Sequence, residues 1–160
     1  MTAAPRTWAT QRLDEIVKGE ATLPPVIQAL RLGALDEWGV GWIKKRWLPH
    51  QDLLNVDGSL FGGYIAALAD QALAFAAMTV VPADSVFRTV NLNVNFIRVG
   101  RAHPLAIEAV VVAQTRQMLT IRATLRREDG ELIAEASAQQ ALQPYEEVRQ
   151  RHAAGSSGPE

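Results

Sequence analysis

Between residues 63 and 80 the chain reads GYIAALADQALAFAAMTV, and this run restricts the fold more than any other stretch. Its length and composition predict a helix, because seven of the fifteen residues from Tyr64 to Met78 are alanine. Only Asp70 and Gln71 in that span are plainly polar. A helix that is apolar nearly all round needs other elements to cover it.

The segments that follow supply the cover. In VFRTVNLNVNFIRV, Val90, Leu92, Val94 and Phe96 alternate with Thr89, Asn91, Asn93 and Asn95. That period of two predicts a strand with one buried and one polar face. LAIEAVVVAQTR reads as a second strand with a looser alternation. QMLTIRATLRR sets Leu119, Ile121, Ala123 and Leu125 against Thr120, Arg122, Thr124 and Arg126. Asp129–Gly130 signals a hairpin into ELIAEASAQQAL, the last strand.

Upstream, residues 35–48 are rich in Trp and β-branched residues and predict one strand, with Gly39 and Gly41 as bulges. Residues 7–18 have helical spacing and end at Gly19. Pro24 and Pro25 open a second short helix that Gly33 closes. The expected class is α+β, a single antiparallel sheet wrapped around a long central helix with short N-terminal helices. One domain over residues 1–143 is expected, with 1–34 as a helical lead-in and 144–160 as a polar, mobile tail.

Composition narrows the function. A net charge of −1 gives no electrostatic case for nucleic acid or an anionic membrane. The absence of cysteine removes disulfides, thiolate metal sites and a Cys nucleophile. The first residues contain no apolar leader-like run, and no stretch is apolar enough to span a bilayer, so a cytoplasmic protein is the expectation.

Asp70 is the residue the core reading does not explain. A carboxylate in apolar surroundings is costly unless it is hydrogen-bonded or paired. Gly62 and Gly63 would lie at the helix N-terminus, where backbone N–H groups lack intrahelical partners and the dipole is positive. Such an end can stabilise negative charge on a carbonyl oxygen, and glycines let a substrate approach closely. Eight residues separate Gly62 from Asp70, roughly 12 Å of helix at ~1.5 Å per residue. One Asp side chain cannot bridge that distance, so a reaction using both needs a second copy of the helix and at least a dimer.

The segment Asn55-x-x-Gly58-x-x-Phe61-Gly62-Gly63-x-x-x-x-Leu68-x-Asp70 resembles the acyl-CoA thioesterase motif of the hotdog superfamily, in its phenylacetate-degradation (PaaI-like) branch. The likeness runs from about Pro24 to about Gln143. It implies a hotdog fold and hydrolysis of an acyl-CoA thioester, with no cofactor beyond the coenzyme A of the substrate and no metal. It further implies a homodimer or homotetramer with sites at the subunit interface. On this likeness Gly62 polarises the thioester carbonyl, Asn55 helps to hold that oxygen or a water, and Asp70 of the facing subunit acts as general base or nucleophile. Thr89 falls where relatives place a group that orients the water.

Phe61 departs from the pattern, since that branch most often has His there. The substitution leaves two readings, an altered acyl preference or a protein that binds an acyl ligand without hydrolysing it. A hydratase of the same fold is the weaker reading, because those relatives usually need an Asp-His pair. His50, His103 and His152 are scattered and predict surface positions. Arg98 and Arg101, near a strand end, could meet the phosphates of coenzyme A. Trp38, Trp42 and Trp47 suit core or interface packing. Asn91, Asn93 and Asn95 share one strand face and suit solvent or a subunit contact.

Overall fold

Each helix of the lead-in begins where a local signal tells it to. In the computed structural model, which describes residues 6–155, Thr7 caps α1 (Trp8–Val17) by accepting from the Thr10 N–H at 3.2 Å. Gly19 follows with φ +72, a left-handed conformation that glycine adopts without strain. Pro25 opens α2 (Pro25–Ala29), a five-residue helix that buries none of its own residues.

The segment expected as one strand over 35–48 is instead a hairpin, β1 (Glu37–Gly39) and β2 (Trp42–Trp47). Gly39 pairs with Trp42, leaving Val40 and Gly41 as the turn, and Gly41 has φ +82. Gly41 is therefore a turn residue and Gly39 the paired last residue of β1, and neither is a bulge. A Cβ on Gly39 would lie 2.4 Å from the Trp42 indole nitrogen, so glycine there makes room for the ring.

The central helix α3 spans Gly62–Met78. Four strands follow: β3 (Ser85–Phe96), β4 (Leu105–Gln114), β5 (Met118–Arg127) and β6 (Leu132–Pro144). All six strands form one antiparallel sheet in the order β1-β2-β4-β5-β6-β3. The residues after Pro144, expected as a tail, are helical as α4 (Tyr145–Gly155); residues 1–5 and 156–160 and the side chain of His152 lie outside the description.

The sheet wraps α3 because its alternation places apolar residues on one face. Leu105, Ile107, Leu119, Ile121, Leu125 and Ala134 are buried against Leu68, Ala69, Ala72, Leu73 and Ala76 of the helix. The alanines of α3 let the sheet approach closely. As the alternation of β5 predicts, Arg122 and Arg126 face outward and are exposed.

Strand β3 does not follow its simple pattern. It lies at the sheet edge, and Val90, Leu92 and Phe96 are 57%, 38% and 56% exposed. The expected buried face is open in the single chain. The register also slips at Val90, since Thr89 opposes Gln140 while Asn91 opposes Gln139. This bulge puts Thr89 on the helix side of the sheet together with Leu92 and Val94, opposite the buried Gln140, Ala138 and Ala136. Thr89 is therefore not on the face that carries the three asparagines.

A lysine is built into the core. Lys45 shares the inward face of β2 with Ile43 and Trp47 and is buried. Its Nζ donates to the Leu32 carbonyl and to Gln71 Oε1, each at 2.6 Å, and Gln71 Nε2 donates to the Gly33 carbonyl at 2.7 Å. These bonds fasten the end of the lead-in to α3. Burial lowers the Lys45 pKa to about 8, against the raising influence of Asp36.

Between about pH 8 and 10.5 the native amine has lost its proton while the unfolded chain keeps it. Stability from this group therefore rises with pH across that window, by on the order of 3 kcal/mol when complete. Urea midpoints at pH 7.5 and 9.5 measure it, with Lys45→Met as reference; a wild-type rise no larger than the variant's refutes the assignment.

Candidate active site

The residues around the start of α3 form a braced loop. Gly58, with φ +77, turns the chain so that its N–H donates to the Asn55 carbonyl at 2.9 Å, and the Asn55 N–H donates to the Ser59 carbonyl at 2.7 Å. Asn55 Nδ2 donates to Ser59 Oγ at 2.9 Å, and Ser59 Oγ donates to Asp57 Oδ1 at 2.6 Å. Hydrogen bonds from Ser59 hold the Asp57 carboxyl below its usual range. The Leu60 N–H then donates to the Gly100 carbonyl at 2.8 Å, joining the loop to the segment after β3.

This bracing delivers Phe61 to the N-cap position of α3 and Gly62 to its first turn. Phe61 offers no side-chain cap, and the N–H groups of Gly62 and Gly63 have no hydrogen-bond partner among the described residues. Bare N–H groups at a helix start attract an anion or a developing oxyanion. Side chains confine this end closely. A Cβ on Gly62 would lie 3.3 Å from Phe96 Cζ, and one on Gly63 would lie 2.6 Å from Phe61 Cε1. The Phe61 ring lies over Gly63 and is 60% exposed.

Asp70 is half-buried farther along the same helix, and Thr89 Oγ1 donates to its Oδ1 at 3.1 Å. The bulge at Val90 is what aims Thr89 inward to make this bond. Asp70 and Gly62 line separate grooves, of about 350 and 370 Å³, that share no residue. One chain thus carries two half-constellations, with Asp70 and Thr89 in the first. Asn55, Phe61, Gly62 and Gly63 make up the second.

Arg98 and Arg101 belong near the second. Arg98 lines the Gly62 groove, pairs with Glu131 at 3.2 Å and donates to the Leu132 carbonyl. Arg101 donates to the Asp57 carbonyl at 3.2 Å, so it braces the loop. His50 and His103 are exposed, as their loop positions predict. Among the described residues no three His, Cys, Asp or Glu side chains gather as a metal site, and no helix is long and apolar enough to cross a membrane.

A long helix wrapped by one antiparallel sheet, with a glycine pair at its start and a carboxylate along it, is the hotdog fold. Residues 57–134 match the family model of the thioesterase superfamily, from the braced loop through α3 into β6. The fold is shared with a phenylacetic acid degradation-related protein from Ralstonia eutropha, at TM-score 0.73 and 24% identity over 81% of this chain and 98% of that one. A thioesterase family protein from Silicibacter pomeroyi matches at TM-score 0.71 and 24% identity, over 82% and 98%. A Streptococcus mutans protein bound to acetyl CoA matches at TM-score 0.64 and 19% identity, over 69% and 87%. No curated protein matches the chain by sequence. The chain resembles the hotdog thioesterases of the PaaI-like branch.

The pattern of residues 55–70 marked Asn55, Phe61, Gly62, Gly63 and Asp70, which the structure sets around two separate grooves, with Thr89 beside Asp70. The Val90 bulge escaped it, because a period of two carries no mark of one surplus residue. The Lys45–Gln71 clamp was missed too, although a lysine between Ile43 and Trp47 on one strand face is a readable signal for a buried amine.

Proposed function

We propose that the protein hydrolyses an acyl-CoA thioester to coenzyme A and a carboxylic acid at a site shared by two copies of the chain. The observation that carries this reading is α3 itself, which offers unpartnered N–H groups at Gly62 and Gly63 and a carboxylate at Asp70 too far along to serve the same carbon. In a dimer, Gly62 of one protomer polarises the thioester carbonyl and Asp70 of its partner serves the same site. The open edge of β3, with exposed Val90, Leu92 and Phe96, supports pairing between copies.

Asp70 removes a proton from water as the water attacks the carbonyl carbon. The oxyanion forms against the Gly62 N–H, with Asn55 beside it. Collapse of the tetrahedral intermediate breaks the C–S bond, and the thiolate of coenzyme A leaves and takes up the proton. Thr89 keeps the Asp70 carboxylate oriented through its 3.1 Å hydrogen bond. Gly63 allows the close approach, Phe61 packs on the acyl side, and Arg98 and Arg101 meet the phosphates of coenzyme A. The reading requires no metal and no cofactor beyond the coenzyme A of the substrate. It places the protein in the cytoplasm as a homodimer or homotetramer, without nucleic-acid or membrane partners.

A panel of acyl-CoAs followed with a thiol reagent tests the activity, and hydrolysis is expected for at least one acyl class. A second reading, a binder of acyl-CoA without turnover, draws on Phe61, whose ring lies over Gly63 where the related branch most often has His. Calorimetric binding with no release of thiol across the panel selects that reading instead.

A further inference from the structure

The lead-in contains an apolar segment that packs against very little. None of the residues of α2 is buried, and Val26 and Leu30 are 56% and 40% exposed. Both line the groove of about 350 Å³ that separates the lead-in from α3. Its α3 wall is built from Ala67 and Ala74, two small side chains that keep the space open, and continues to Phe75 and Met78. Its polar lining from α3 is Asp70 and Gln71, and Gln71 is already bonded to Lys45 and Gly33. The Lys45 and Gln71 bonds to Leu32 and Gly33 fix the lead-in wall in place.

We infer that this groove is the acyl subsite of the Asp70-bearing chain, and that it takes an unbranched aliphatic acyl group of medium length. The inference rests on the placement of the reacting carbonyl beside Asp70. From there the groove runs along α3 to Met78, eight residues farther, which is about 12 Å at ~1.5 Å per residue. A staggered chain with carbon–carbon bonds near 1.5 Å covers that length in about eight to ten carbons. The lining over this length is apolar apart from Asp70 and Gln71 on α3 and Arg12 on α1, whose guanidinium pairs with Glu15, and Met78 at the far end is an adaptable stop. A short acyl group such as acetyl would leave most of the groove empty.

Binding of unhydrolysable S-alkyl-CoA thioethers tests the subsite whether or not the protein turns over substrate. Isothermal calorimetry with the S-ethyl, S-butyl, S-hexyl, S-octyl and S-dodecyl compounds should show affinity rising about tenfold per two methylenes. The rise should continue to octyl and fall short of a further hundredfold at dodecyl. Ala74→Phe fills the α3 wall, and Val26→Trp narrows the opposite wall from an exposed position that carries no folding risk. Each should abolish the gain from ethyl to octyl, about a thousandfold, while leaving affinity for coenzyme A itself unchanged.

Affinity independent of chain length, or a gain that survives both substitutions, overturns the inference and leaves the groove as a contact surface between copies. Hydrolysis of acyl-CoAs is measured separately, so loss of the subsite and loss of the thioesterase reading give different results.

Discussion

Replacing Asp70 by Asn is expected to lower kcat for acyl-CoA hydrolysis by about a thousandfold with little change in KM. Asn has nearly the same shape and can still accept the Thr89 hydrogen bond, so the pocket keeps its geometry. It cannot take a proton from water, and only the chemical step suffers. Removing a charge from a helix that is otherwise apolar should leave the melting temperature unchanged or slightly raised. Steady-state kinetics with the best substrate of the panel, alongside thermal melts, measures both. Residual activity within tenfold of wild type would remove Asp70 from the mechanism.

The second large effect concerns the helix start. Gly62→Pro is expected to reduce kcat by about a hundred- to a thousandfold by deleting one N–H donor. The fold should tolerate it, since proline suits the first helical position. Phe61, with φ −61 and ψ 127, already has the extended backbone required before proline. The exposed Phe96 ring must move slightly to admit the new side chain.

Mixing this variant with Asp70→Asn distinguishes a shared site from a private one. If chains associate at random, half of the dimers are mixed, and each mixed dimer has one intact site of two. Refolding the two inactive variants together should therefore restore about a quarter of wild-type activity. No recovery means that each site draws Gly62 and Asp70 from one chain, which refutes the shared site.

Legibility in the sequence varied with how local the cause was. The sheet around α3 could be read because β5 alternates cleanly and α3 has no polar face to expose. The β1–β2 hairpin was misread because Gly39-Val40-Gly41 suits a bulged strand as well as a turn, and only pairing across it decides. In β3, alternation predicted a buried face that the single chain leaves open, since the period reports which residues share a side and not what covers them. Residues 55–63 announced the helix start because turn glycines and an Asx-type brace are local. The inward aim of Thr89 depends on register against Gln140, more than fifty residues away, which no local pattern encodes.

Val90 gives β3 an unusual property in terms of counting. Every cross-strand pair on both sides of it, from Ser85↔Pro144 through Phe96↔Ala134, would remain in place if that one residue were removed. The two halves of the strand behave as separate reading frames joined by one extra letter. Deleting a residue such as Asn93 instead would exchange faces for part of the strand and set side chains meant for α3 against solvent. The parity of β3 is therefore kept in two independent parts, and the Thr89–Asp70 hydrogen bond depends on the shorter one.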